Sequence, residues 1–191
     1  MLMIPSPGAA LPSADSYWSA KLGYAPNWYS FCASLICKRV TGNPNEPVTA
    51  WAMRTFLKPP VEHLLEIGCL SGDKLAAMVK GGLALRGTGL DIAANAIERG
   101  RQKHGDAVNL VVGDLNKPQH SLRPATFDAI SSNGVLHHIA NLEVCCQSLY
   151  DSLLSGGILI ASEFTGPCRY VYSAKETAAI NEGIVMLPAT Y

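Results

Sequence analysis

From Val61 onward the chain alternates between two hydrophobic periods, and no other feature constrains its fold as much. Val61 to Ile67 is a run of strand residues, Gly68 and Gly72 punctuate a turn, and Asp73 to Val79 has helical spacing that stops at Gly81-Gly82. The pattern then repeats. A second strand ends at Thr88 to Asp91, and Ile92 to His104 reads as a helix that Gly100 weakens. A third strand, "VNLVVGD", closes at Asp114, and a loop with Pro118 and Pro124 leads to a fourth, Phe127 to Asn133. Asn141 is placed to cap a helix with the apolar face Leu142, Cys145, Cys146, Leu149 and Leu153; Gly156-Gly157 stop it before a fifth strand, Ile158 to Glu163. Ser173 and Glu176 form a capping box for a last helix ending at Pro188. Strands and helices joined by short connections predict a doubly wound α/β fold, a parallel sheet with helices on both faces.

The part before Val61 has a different texture. Residues 1–16 are rich in Pro and Ser and read as a flexible arm. Residues 17–60 read as a helical N-terminal cap: Trp28, Phe31, Cys32, Leu35, Ile36 and Val40 fall at helical spacing, and a second helix opens near Glu46-Pro47 and ends before Pro59-Pro60. Residues 61–191 then form the sheet domain. With 191 residues in all, the chain has enough for one core and too few for two comfortable ones.

Composition excludes some classes of function. Lys plus Arg and Asp plus Glu both number 15, so no global field draws the chain to nucleic acid or to an anionic membrane. The six cysteines include no C-x-x-C pair and lack zinc-ligand spacing, which predicts reduced thiols and no metal site. The N-terminus has no basic head, and Pro5, Pro7 and Pro12 break its apolar stretch, so it does not read as a signal peptide. No apolar run approaches the ~18 residues of a membrane span. The expectation is a cytoplasmic protein.

In a doubly wound sheet, ligands bind beyond the carboxyl ends of the strands. The residues there are Glu66 to Gly72, Asp91-Ile92, Gly113-Asp114-Leu115 and Asn133 to His138. Acidic groups thus close the first three strands. Asp91 ends the second, where a carboxylate can accept from two neighbouring ribose hydroxyls. A dinucleotide loop would need G-x-G-x-x-G, but Leu70 and Asp73 stand at two of the glycine positions. Asp73 also competes for the helix terminus that a pyrophosphate would use.

These stretches resemble the class I S-adenosylmethionine-dependent methyltransferases. "LLEIGCLSG" is similar to their first motif, an acidic residue followed by G-x-G-x-G, and "GLDIAANAIERG" to their second-strand motif. "VVGDL", "FDAISSNGVLHHI" and "LLSGGILIASE" resemble the segments that follow, in the same order, and "KRVTGNPNEP" resembles the helical preface of small-molecule members. The resemblance implies a Rossmann-like sheet of order 3-2-1-4-5, here with C-terminal strands 6 and 7 missing. It implies S-adenosyl-L-methionine as methyl donor, held by Glu66, Gly68, Gly72, Asp91, Ile92, Asp114, Leu115 and Asn133. Asp91 would take the ribose, Ile92 and Leu115 would flank the adenine, and Asp114 would accept from its amino group. His137 and His138 stand where the acceptor meets the methyl group, and are candidate catalytic residues; equally, one could fill the turn and the other bind backbone.

The expected activity is methyl transfer to a small-molecule acceptor, without nucleic acid or membrane partners. Leu70, at the middle glycine of the first motif, keeps a second reading open: a catalytically impaired or truncated S-adenosylmethionine-binding module. A dinucleotide-dependent oxidoreductase is more distant. A fifth strand left at the edge of the sheet predicts a homodimer through that edge.

Overall fold

The computed structural model describes residues 37–43, 45–117 and 122–163. The arm, most of the first cap helix, the last helix and the question of strands 6 and 7 lie outside the described residues. Residues 37–41 are helical, and Thr41 Oγ1 donates back to Cys37 O at 2.8 Å. Helix α1 runs Val48–Phe56, with Pro47 at its N-cap.

Strand β1 (Val61–Ile67), helix α2 (Asp73–Lys80), strand β2 (Ala84–Asp91), helix α3 (Ala94–His104), strand β3 (Asn109–Val112), strand β4 (Phe127–Asn133), helix α4 (Leu142–Ser152) and strand β5 (Leu153–Ser162) follow in order. The five strands form one sheet, β3-β2-β1-β4-β5, in which every neighbouring pair is parallel. This is the doubly wound, Rossmann-like order 3-2-1-4-5.

Adjacent residues of β1 show why both faces must be covered. Leu64 packs with Met53, Leu75, Met78 and Ile97, side chains from α1, α2 and α3. Leu65 packs on the other face with Ile130, Cys145 and Leu149, the latter two from α4. Both leucines have no exposed surface. Losing either side chain to Ala would cost about 2–5 kcal/mol through lost burial and the cavity left behind.

Three sequence expectations need correction. The third strand ends at Val112 rather than Asp114: the Gly113 amide makes the last bond of the ladder with β2, to Asp91 O at 2.9 Å, and Asp114 already closes a turn, its O accepting from Lys117 N at 3.0 Å. The buried face of α4 is Cys145, Leu149 and Ser152; Leu142 and Cys146 are exposed. The helix also stops earlier than Gly156-Gly157. Leu153 already pairs with Phe127, so the two glycines lie inside β5, where the register with β4 shifts and Gly156 adopts φ +81°. Such an irregularity lets the chain keep strand pairing while accommodating extra residues. The Asn141 cap is present, with Oδ1 accepting from the Val144 amide at 3.3 Å.

Candidate active site

The turn between β1 and α2 is built against the ends of β2 and β4. The amides of Gly68 and Cys69 both donate to Leu90 O, at 2.8 and 3.3 Å, which folds the chain back over the sheet. Gly68 has φ +63°, and a Cβ there would lie 2.2 Å from Val135 Cγ2. Only glycine satisfies both conditions. Gly72 ends the turn with φ +72° and donates to Cys69 O at 2.8 Å.

Between them stands Leu70, also left-handed at φ 50°, with 41% of its surface exposed. A branched side chain in this conformation costs roughly 1–2 kcal/mol. Its amide donates to Asp91 Oδ2 at 2.7 Å, while Ala93 N donates to Oδ1 at 2.9 Å. Asp91 is buried, and burial raises its carboxyl above the usual range against the pull of the Ala93, Leu70 and Ile92 amides.

A cavity of about 230 Å³ opens at this end of the sheet, lined by Glu66, Gly68, Leu70, Lys74 and Asn133 among others. Glu66 is 4% exposed, and its Oε2 has no hydrogen-bond partner among the described residues. Burial pushes its carboxyl up to about 7, against the attraction of Lys74. A cavity-lining carboxyl with one buried oxygen that lacks a donor among the described residues suits a ligand that brings a cationic donor.

The other predicted residues are distributed around this centre. Ile92 is half-buried beside Asp91. Asp114 closes a turn, accepting from Asn116 N at 3.0 Å and standing 3.4 Å from Lys117 Nζ. Leu115 is 5% exposed and belongs to the core on the α4 face, so its side chain does not line the cavity. Gly72 shapes the turn without lining the cavity. Asp73 is held by Lys103 Nζ at 2.8 Å and His104 Nε2 at 2.7 Å, and the hydrogen bond from Lys103 is the main reason its carboxyl titrates below the ordinary range. That acidic group thus answers the end of α3, and it also stands in the cavity wall.

His137 and His138 lie in a single 3-10 turn, Leu136–His138, just past β4, with ring centroids 3.9 Å apart. The sequence reading missed the partner of one of them. Glu163, immediately after β5, takes His137 Nδ1 on Oε2 at 3.0 Å, and Ser132 Oγ and Val135 N on Oε1 at 2.6 and 3.1 Å. Parallel pairing of Asn133 with Ser162 brings these segments together, a relation that an order of 4-5 at the sheet edge already contains. Lys74 was missed as well, since on the sequence it is only one more polar residue of an amphipathic helix.

Among the described residues no group of His, Cys, Asp and Glu could hold a metal ion, and Cys37, Cys69, Cys145 and Cys146 are free thiols.

Comparison with known proteins agrees with this architecture. The family described as "Methyltransferase domain" matches residues 65–161, just over half of the chain. No curated protein matches the chain in sequence. Among solved structures, the MccD protein aligns with a TM-score of 0.61 at 19% identity, covering 76% of this chain and 64% of that one. The complex of the Haloferax volcanii Trm112 methyltransferase activator with a methyltransferase gives a TM-score of 0.55 at 17% identity, covering 80% and 61%. An S-adenosylmethionine-dependent methyltransferase from Mesorhizobium loti gives 0.52 at 24% identity, covering 60% and 53%. The chain thus spans less than two thirds of the length of each of these structures. The family match, together with the sheet order and the acidic strand ends, places the chain in the class I methyltransferase family, whose methyl donor is S-adenosylmethionine.

Proposed function

We propose that this chain binds S-adenosylmethionine at the carboxyl ends of β1, β2 and β4 and transfers its methyl group to a small-molecule acceptor. The observation that carries the reading is Glu66, which lines the cavity and whose buried Oε2 has no hydrogen-bond partner among the described residues. The ammonium of the cofactor's methionine end would supply that donor, and Lys74 in the same wall would attract its carboxylate. Asp91 would take the ribose. Its two oxygens carry about four lone-pair sites; the Leu70 and Ala93 amides occupy two, and the Ile92 amide also acts on the carboxylate. Ile92 would meet the adenine, with Asp114 at the rim, and Gly68, Gly72 and Asn133 would shape the backbone around the methionine portion.

When bound, the cofactor supplies a methyl group on a sulfonium, which is already a good leaving group. What the chain must add is alignment, and holding two reactants in register is worth up to about 7–11 kcal/mol. Glu66, Asp91 and the loop between them fix one reactant, and the 3-10 turn carrying His137 and His138 borders the side from which an acceptor would come. Equal numbers of acidic and basic residues favour a small acceptor over nucleic acid. No described helix is long and apolar enough to cross a membrane, and a cytoplasmic location belongs to the same proposal.

Titration calorimetry with S-adenosylhomocysteine and with NAD tests the reading. Binding of the first and not the second is expected; the reverse would replace methyl transfer by a dinucleotide reaction. Leu70 favours one further reading. Its exposed side chain on the cavity wall suits a module that binds the cofactor without turning it over. Binding of S-adenosylhomocysteine without any transfer of labelled methyl into a cell metabolite extract would select that reading.

A further inference from the structure

We propose that Glu163 is a positioning residue for His137, holding it in the tautomer whose Nε2 removes the proton of the methyl acceptor. The inference rests on the methyl-transfer reading and narrows its substrate to acceptors that must lose a proton, such as a hydroxyl.

The geometry leaves the dyad few alternatives. Glu163 Oε1 already accepts from Ser132 Oγ at 2.6 Å and Val135 N at 3.1 Å, which fixes the carboxylate from two sides. Its Oε2 is left for His137 Nδ1 at 3.0 Å. A carboxylate only accepts, so Nδ1 must carry a hydrogen and, in the neutral ring, Nε2 must be the bare nitrogen. The carboxylate is secure: burial raises Glu163, but the hydrogen bonds of His137, Ser132, Leu136 and Val135 outweigh it and hold the group at about 2. The His137 side chain keeps 34% of its surface, against 14% for Glu163, so the ring is anchored at Nδ1 and stays partly accessible. It lies on the segment that follows Asn133, a residue of the cavity wall.

In the step this implies, the acceptor's proton passes to Nε2 and the electron pair it leaves behind bonds the methyl carbon. The pair of the breaking carbon–sulfur bond stays on sulfur, so the sulfonium becomes a neutral thioether and the imidazole an imidazolium. Glu163 then faces a full positive charge at Nδ1–H, which stabilises the charge that develops during transfer.

Glu163→Gln separates orientation from mere packing. The amide has a single oxygen; if Ser132 and Val135 keep it, the NH₂ faces His137 and forces Nδ1 to accept, which moves the hydrogen to Nε2. Long-range ¹H–¹⁵N spectra of the imidazoles read this directly, without any acceptor. The Nδ1–H form is expected in the parent and the Nε2–H form in the variant. Transfer of labelled methyl from S-adenosylmethionine into a cell metabolite extract should fall by about 10²–10⁴, with S-adenosylhomocysteine affinity unchanged. His137→Gln should lose the same activity and serves if Glu163→Gln does not fold. An Nε2–H tautomer in the parent, or full transfer by either variant, would overturn the dyad while cofactor binding stood. A parent that fails to bind S-adenosylhomocysteine would instead overturn the methyl-transfer reading, and the role of His137 with it, whatever its tautomer.

Discussion

The amide of Leu70 and the carboxylate of Asp91 meet at 2.7 Å, and through this bond the end of β2 holds the turn that follows β1. One side chain thus ties two backbone donors, Leu70 N and Ala93 N, to the end of β2.

Asp91→Ala should therefore lose more than a ribose contact. Two amides lose their acceptor next to a buried site, at a cost of about 1–3 kcal/mol, and the turn that carries Leu70 is released. Urea unfolding should register the destabilisation and calorimetry should show no binding of S-adenosylhomocysteine. Parent-like affinity in the variant would remove Asp91 from the binding site, leaving it the structural role alone.

Leu70 can be dissected by two substitutions. Leu70→Gly relieves the left-handed strain of roughly 1–2 kcal/mol, offset by the extra freedom of glycine in the unfolded chain, about 0.4–1 kcal/mol. Leu70→Ala keeps the strain and removes only the bulk. Both should tighten S-adenosylhomocysteine binding, and only the glycine variant should gain stability. If neither variant binds more tightly than the parent, the leucine side chain already stands clear of the ligand.

Much of this was legible in the chain because burial writes itself as period. A strand covered on both faces, such as Leu64 to Ile67, needs continuous apolar residues, and helices lying on it need apolar residues at helical spacing. The acidic residues closing β1 and β2 are legible for a different reason, since Glu66 and Asp91 interrupt apolar runs although both are buried. What escaped depends on pairing across the sheet. Leu153 and Leu154 continue the apolar pattern of α4, so the start of β5 is visible only from its register with Phe127. The bond from His137 to Glu163 spans 26 residues and exists because β4 and β5 are neighbours. Gly100 looked like a weak point in α3. It is instead where the helix passes so close to the turn after β1 that a Cβ would stand 2.4 Å from Ser71 O and 2.5 Å from Leu110 Cδ1.

Gly100→Ala consequently reverses the usual expectation for helices. Propensity alone would stabilise α3 by up to about 1 kcal/mol, but the added carbon meets backbone on one side. Overpacking of this kind costs about 1–3 kcal/mol, so the variant should be less stable in urea and should bind S-adenosylhomocysteine more weakly, because Ser71 is displaced. A more stable variant with unchanged affinity would show that the turn yields without consequence.

Glu66 predicts a pH dependence of both stability and binding. The folded carboxyl keeps its proton up to about 7, whereas its ordinary value is 4.5. Between these values the native chain binds more protons than the unfolded one, so stability falls as pH rises through the window and levels off above it, by roughly 3 kcal/mol in total. Glu66→Gln should flatten that part of the profile, leaving the contribution of Asp91, whose carboxyl is also raised. Glu163 acts at lower pH and with the opposite sign, since its folded value of about 2 removes stability only as pH falls below 4.5. Binding should run the other way from stability: a cationic ligand needs the Glu66 carboxylate, so S-adenosylhomocysteine affinity should weaken about tenfold per unit below pH 7. A parent profile that matches that of Glu66→Gln in both measurements would show that the Glu66 carboxyl meets no cation.

The edge of the sheet gives the last prediction. Among the described residues β5 pairs with β4 alone, and its apolar residues Leu154, Ile158 and Leu159 are 39%, 40% and 38% exposed. A strand that carries apolar side chains beside unpaired amides and carbonyls is a template for another strand. Two copies meeting edge to edge would pair these groups, and the central glycines of β5 would place few side chains in the way. The expected outcome is a concentration-dependent dimer in sedimentation of the full chain. Leu159→Lys should shift it toward monomer, because a charge at the junction would have to be desolvated for the strands to meet. Since Leu159 lies along β5 away from Glu66 and Asp91, cofactor affinity should not change with the shift. A parent that remains monomeric at every concentration, or a dimer that the lysine leaves intact, would rule out association through this edge.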